Sequence, residues 1–174
     1  PGTPYDAKGL LKAAIRSENP VLFFENKLLY TATGPVPEED YVIPFGAADI
    51  KRAGDDVTLV SVGASLGISL EAAETLAREN IDVEVVDLRS LVPLDLDTIL
   101  RSVEKTGRVV TVEEGALFHG FGAEILARVT EAAFGRLLAP PRRVAALDVP
   151  IPYNNALENA VIPDAERIVE TIRA

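Results

Sequence analysis

The chain has no cysteine, no methionine and no tryptophan, and only one histidine. Without cysteine, disulfides and thiolate chemistry are excluded. With His119 alone, a metal centre built from several histidines is excluded within this chain. No apolar run reaches membrane-spanning length and no signal-peptide pattern is present. Positive charge is also scarce: 17 Lys and Arg face 27 Asp and Glu, a net charge of −10. That argues against nucleic acid and against an anionic membrane surface, and favours a basic partner or plain solubility. The absence of methionine, together with the opening Pro-Gly-Thr-Pro, leads us to expect the C-terminal part of something longer.

What is present suits a packed core. The 174 residues are 48% hydrophobic and contain no low-complexity run. The stretch Arg108–Glu124 organises the reading. Its Val109-Val110-Thr111-Val112 is too apolar for a half-exposed strand and suits one buried on both faces of a parallel sheet. Glu113 and Glu114 follow at the strand end, then a loop, then Gly120-Phe121-Gly122 opening a helix. Ligands of open α/β sheets gather at the carboxyl ends of strands, so Glu114–Gly122 is the first place to look for function.

In chain order, Tyr5–Ser17 reads as a helix capped by Asp6, and Val21–Glu25 as a buried strand. Thr33–Pro44, with three prolines and three acids, reads as a linker, and Ala48–Gly54 as a polar turn. Strands are then expected at Val57–Val62, Val83–Leu88, Arg108–Val112 and Arg142–Leu147, with a fifth at an edge if Tyr41–Ile43 pairs. Helices are expected at Ile68–Glu79, Asp95–Thr106, Gly122–Leu138 and Pro163–Ile172, and Asp148–Asn159 as an extended surface segment. This alternation predicts a mostly parallel, doubly wound α/β sheet covered on both faces, preceded by a helix–strand remnant of another domain. The domains divide at residues 1–35 and 36–174.

The motifs are read more plainly than their shapes suggest. Gly63–Gly67 lacks the Lys-Ser/Thr of a phosphate loop and reads as a tight turn. Gly120-x-Gly122 lacks a third glycine, so close helix approach is favoured over dinucleotide binding. Glu113 and Glu114 are neighbours on a strand and point to opposite faces, which prevents joint acid–base work. His119 has no identified orienting carboxylate. Taken alone, the residues contain no self-sufficient active site and describe a partner-binding or oligomerising domain.

Several segments together resemble one family. The run TPYDAKGLLKAAIRSENPVLFFENKLLY resembles the end of the pyrimidine-binding domain in beta subunits of thiamine-diphosphate-dependent 2-oxo acid dehydrogenases. DVTLVSVGASLGISLEAAETLA, VEVVDLRSLVPLDLDTILRSVEKTGRVVTVEEG, GFGAEI, DVPIPYNNALE and IPDAERIV resemble that subunit's transketolase-type C-terminal domain. Phe23-Phe24-Glu25 and Gly120–Glu124 lean to branched-chain and acetoin-type members, Leu11–Asn19 and Val149–Tyr153 to pyruvate enzymes. Alternatives are the C-terminal domain of a transketolase or deoxyxylulose-phosphate synthase, or a non-catalytic binding module.

The resemblance implies a tetramer of two alpha and two beta subunits, thiamine diphosphate with Mg in the whole enzyme, and acyl transfer to a lipoyl acyltransferase. The implied setting is the bacterial cytoplasm or the mitochondrial matrix. The activating glutamate and catalytic histidine of that family have no counterpart here, so no catalytic or thiamine-binding residue is assigned and the chain alone is expected to be inactive. A partial monovalent-cation site, for potassium, is implied at Ala14, Ile15, Ser17 and Asn19. The implied partners are the N-terminal part of the beta subunit, the alpha subunit, a second beta subunit and the acyltransferase's basic subunit-binding module. Interface candidates are Glu114, His119, Gly120, Gly122, Glu166, Glu170 and the Ala174 carboxylate.

Overall fold

The computed structural model describes residues 1–174. Its centre is a sheet of five strands: β1 (Asp49–Arg52), β2 (Val57–Ser61), β3 (Val83–Asp87), β4 (Val109–Ala116) and β5 (Arg142–Ala146). Their spatial order is β1-β3-β2-β4-β5. β3, β2, β4 and β5 run parallel, and β1 pairs antiparallel with β3. Every residue of β2 and β3 is buried, including the polar Thr58, Ser61, Glu84 and Asp87, as expected for strands covered on both sides.

Helices α2 (Ser65–Ala77), α3 (Leu96–Thr106) and α4 (Phe121–Ala133) are the crossovers between parallel strands. Side-chain alternation splits the core in two. Val57, Leu59, Val85, Val112 and Val144 pack with Leu66, Ala73 and Leu76 of α2, and with Ile168 and Val169 of α6 (Ala165–Arg173). On the other face Val60 and Val109 pack with Ile99 and Val103 of α3 and with Ile125 and Val129 of α4. This is the expected doubly wound α/β sheet, with four parallel strands and one antiparallel edge.

The fifth strand is not the expected one. Tyr41–Ile43 joins no sheet, and Ala48–Gly54, expected as a turn, supplies β1. An edge strand needs only backbone pairing, so Asp49, Lys51 and Arg52 leave no hydrophobic signal. Val21–Glu25, expected as a buried strand, is extended but pairs with nothing, and Leu22 and Phe24 are 84% and 79% exposed. Its apolar content records a strand's composition, but no neighbouring strand in this chain offers it a ladder. A short 3-10 turn, Lys27–Thr31, follows.

Three local readings also change. Helix α1 (Pro4–Arg16) is capped by Thr3, whose Oγ1 accepts from the Asp6 amide at 3.1 Å; Asp6 itself is fully buried. The segment Asp148–Asn159 is not extended throughout: its end enters α5 (Asn155–Val161), capped by Asn154. Helix α4 stops at Ala133 and runs on only as a 3-10 turn to Arg136.

Candidate functional site

The strands β2, β3 and β4 lie side by side and end at one crest of the sheet. β2 leads through α2 to β3 on one side, and the chain then returns to β4 on the other. The crevice between β2 and β4 is therefore the topological switch point, where open α/β sheets bind ligands.

Here the chain's own groups fill that position. Gly63, at φ +60°, turns the chain out of β2. The Ser65 hydroxyl then lies 2.7 Å from the Val62 carbonyl and 3.1 Å from the Val112 carbonyl, bridging the two strand ends. Across the sheet, the Gly122 amide at the start of α4 donates to Glu113 Oε1 at 2.9 Å, and the Phe121 amide also faces that carboxylate. The amides that would hold an anion are thus taken by a side chain nine residues earlier. Gly122 permits this contact: a Cβ there would sit 2.5 Å from Thr111 Oγ1 and 2.6 Å from Glu113 Oε1. The glycine pair therefore serves close approach of α4 to β4.

Glu113 is 1% exposed, and burial pushes its carboxyl above the ordinary carboxylate range, against the pull of the Gly122 and Phe121 amides. Its Oε2, Thr111 Oγ1, Ser61 Oγ and Asp87 Oδ2 are the buried side-chain atoms that make no hydrogen bond, and all four belong to β2, β3 and β4. Burial likewise raises Asp87. Glu114 points to the opposite face from Glu113, as alternation requires. It accepts from Asn26 Nδ2 at 2.6 Å, and burial and nearby Glu158 push it upward.

The folded Glu113, Glu114 and Asp87 carboxyls bind protons at higher pH than the unfolded chain does. Their contribution to stability is therefore fully present below their unfolded values and is lost as pH rises through the folded ones. Glu113→Gln keeps an oxygen for the Gly122 amide and removes the buried charge. Its stability at pH 7 is expected to stay within about 1 kcal/mol of the parent or rise. Urea unfolding at several values between about pH 5 and 7 should show a flatter profile for this variant. Glu113→Ala, which strips the cap, should lose about 2 kcal/mol; an equal loss for both variants would refute the capping role.

His119 lies on the exposed loop after β4, at φ +59°, edge-on to Phe118 with ring centroids 4.2 Å apart. It makes no hydrogen bond or ion pair. Beside it is an open groove of about 350 Å³ lined by Ala116, Phe118, Asp148, Val149 and Pro150. Leu147, Ile151, Tyr153 and Leu157, from the same stretch of chain as Asp148–Pro150, are also exposed, and exposed apolar side chains that gather into a patch mark contact surfaces. Glu114, His119, Gly120 and Gly122 gather at this end of β4, with Gly122 buried. Glu166, Glu170 and Ala174 sit apart from them, on the exposed side and end of α6. Ala14, Ile15, Ser17 and Asn19 form the end of α1, where the Ser17 amide donates to the Ala14 carbonyl at 3.3 Å and the Asn19 amide to Ser17 Oγ at 3.2 Å.

A cluster that sequence reading missed ties α1 to the sheet edge. Lys51 Nζ of β1 lies 2.6 Å from Asp6 Oδ2 and 2.8 Å from Asp49 Oδ2, while Arg89 reaches Asp6 Oδ1 at 2.7 Å and Asp49 Oδ2 at 2.9 Å. Burial alone would raise the Asp6 carboxyl, but Lys51, Thr3 and Arg89 together hold it below its ordinary value. The only sequence signal was an acid in a first helical turn, which suggested a cap.

The fold is a three-layer α/β domain whose five-stranded sheet ends in a crest closed by the chain's own Ser65 and Glu113. The transketolase C-terminal domain family matches residues 46–168, and the chain belongs to it. Over its whole length the chain is 48% identical to the pyruvate dehydrogenase E1 component subunit beta of Rhizobium meliloti, covering 38% of that protein. It is 49% identical over 99% of its length to the acetoin:2,6-dichlorophenolindophenol oxidoreductase subunit beta of Cupriavidus necator, covering 51% of it. A split-gene transketolase solved as an inactive beta4 tetramer superposes on 80% of the chain with a TM-score of 0.68 and 30% identity, covering 45% of that structure. The chain thus spans about half or less of these relatives.

Proposed function

We propose that this chain is the C-terminal part of the beta subunit of a thiamine-diphosphate-dependent 2-oxo acid dehydrogenase, serving subunit assembly and partner docking. The observation that carries this reading is identity near one half, across essentially the whole chain, to the beta subunits of a pyruvate dehydrogenase E1 component and of an acetoin oxidoreductase. The crest geometry agrees with it, because Ser65 and Glu113 engage the groups that would otherwise meet a small ligand. In this reading residues 1–35 complete the pyrimidine-binding domain and residues 36–174 are the transketolase-type domain.

Thiamine diphosphate and Mg belong to the assembled enzyme, held outside this chain. A potassium ion takes carbonyl oxygens at Ala14, Ile15, Ser17 and Asn19 when the remaining ligands are supplied. The rim around His119 and Gly120 meets other subunits, and the acidic side of α6 receives the basic subunit-binding module of the acyltransferase. The substrate is pyruvate or a related 2-oxo acid, in the cytoplasm or the mitochondrial matrix. No helix of the chain is long and apolar enough to cross a membrane.

Light scattering and intact mass establish which polypeptides accompany the chain. The chain alone is expected to show no thiamine diphosphate binding by calorimetry and no turnover. The full-length beta subunit with its alpha partner is expected to decarboxylate pyruvate with an artificial electron acceptor. Thiamine diphosphate binding to the chain alone, or a complete pair inactive on pyruvate, branched-chain 2-oxo acids and acetoin, would overturn the proposal. Calorimetry with the isolated binding module at low salt tests the α6 contact, and no heat of binding would reject it.

A further inference from the structure

The segment expected to be a free linker is seated on α1. Tyr5, Lys8, Gly9, Lys12 and Arg16 recur at helical spacing and share one side of that helix. Along this stripe runs the chain from Pro37 to Ile43. Tyr41 stacks on Tyr5 with centroids 4.7 Å apart and donates its hydroxyl to the Tyr5 carbonyl at 2.8 Å. The Ile43 amide donates to the Gly9 carbonyl at 3.1 Å. The approach at Gly9 is close: a Cβ there would lie 2.6 Å from Ile43 Cγ1 and 2.9 Å from a Tyr41 ring carbon. Asp6 and Leu10, buried on another side of α1, face away from solvent, with Asp6 bound to Lys51 and Arg89.

One group draws the strap together. The Lys8 ammonium donates to the carbonyls of Pro37, Glu38 (3.4 Å) and Glu39 (3.1 Å). It also stands 4.9 Å from the centre of the Tyr41 ring. Three consecutive carbonyls and an aromatic face directed at one cation make a cage that a neutral side chain cannot fill. The Lys8 contacts also lie at the surface but gather three consecutive carbonyls on one cation, whereas Lys12 and Arg16 only pair with the exposed carboxylate of Asp40. Exposed pairs of that kind hold little.

We propose that Pro37–Ile43 is a latched strap and that the Lys8 ammonium, held in its carbonyl cage, is the latch. Its charge holds the strap against α1 and so keeps the segment joining the two parts of the chain closed. Loss of that charge opens the strap while the sheet stays folded. The device is independent of the reaction the assembled protein performs.

Limited proteolysis with a glutamyl endopeptidase reads the strap directly, because Glu38 and Glu39 are its cleavage points. Cutting requires several strap residues to leave α1 together. Lys8→Ala is expected to be cleaved at the strap about tenfold faster than the parent, since cleavage follows the open population. Lys8→Arg, which restores a cation with several donors, is expected to recover most of the protection. Lys12→Ala is expected to change the rate by less than about twofold. Circular dichroism of the sheet domain accompanies each variant. The proposal is overturned if folded Lys8→Ala is cut at the parental rate, if Lys8→Arg is as labile as Lys8→Ala, or if Lys12→Ala opens the strap equally.

Discussion

Gly54→Ala is expected to cost about 3 kcal/mol or more, the largest loss from any single methyl group added to this chain. Gly54 is buried in the turn from β1 into β2 and lies against β3. A Cβ on it would fall 2.3 Å from the Val83 carbonyl carbon, 2.5 Å from the Glu84 amide nitrogen and 2.6 Å from the Val83 carbonyl oxygen. Those atoms are backbone of a fully buried strand and cannot swing aside as a side-chain tip can. The turn must move away from β3 instead, and the Arg52 guanidinium that donates to the Val83 carbonyl and to Asp82 moves with it. For a chain of this size the loss corresponds to a fall in melting temperature of about 6–12 °C. Thermal unfolding by circular dichroism checks this; a shift below about 2 °C would mean the turn relaxes freely.

Asp6→Ala is expected to lose about 3 kcal/mol, read as undocking of α1 more than as melting of the sheet. The Asp6 side chain is fully buried, and Lys51 and Arg89 are each nearly so. Removing it leaves the two cations with the Asp49 carboxylate and, 3.9 Å from Lys51 Nζ, Asp87 Oδ2. An uncompensated buried charge costs more than the pair itself contributes. The chain offers its own probe: it has no tryptophan, three of its four tyrosines (Tyr5, Tyr30 and Tyr41) lie in its first 45 residues, and the fourth, Tyr153, is fully exposed already in the folded chain. Tyrosine fluorescence during urea titration should therefore report an early transition in the variant, ahead of the far-ultraviolet signal of the sheet. Coincident transitions at the parental midpoint would contradict the clamp. Acid should act in the same direction: the depressed Asp6 carboxyl contributes above its unfolded value, near 3.8, and that contribution is lost as pH falls further. Asp40, held at about 2 by Lys12 and Arg16, follows the same sign.

The readable and unreadable parts of the fold divide along physical lines. β2 to β5 and helices α2, α3, α4 and α6 were legible because burial on one or two faces imposes a composition and a period. Val57–Ser61 and Val83–Asp87 could hardly be anything but strands between two layers. β1 was not legible, because Asp49, Lys51 and Arg52 are held by backbone pairing and by charges from other elements. Val21–Glu25 misled in the opposite way, since it has a strand's residues without a strand's partner. At the crest, the opposite facing of Glu113 and Glu114 was legible from alternation alone. The capture of the Gly122 amide by Glu113 was suggested only by a carboxylate and a glycine-led helix lying nine residues apart.

By itself the sequence determined the layered α/β architecture, the order of its central elements and the family resemblance, because these follow from local periodicity and from the runs of residues themselves. Only the tertiary structure decided which polar groups meet. Asp6 finds Lys51 and Arg89 across 45 and 83 positions, Glu114 finds Asn26 across 88, and Lys8 finds the strap carbonyls across about 30. Such pairings carry no period, since a charge is satisfied by whatever the fold brings within about 3 Å, and the chain in between leaves no mark of it.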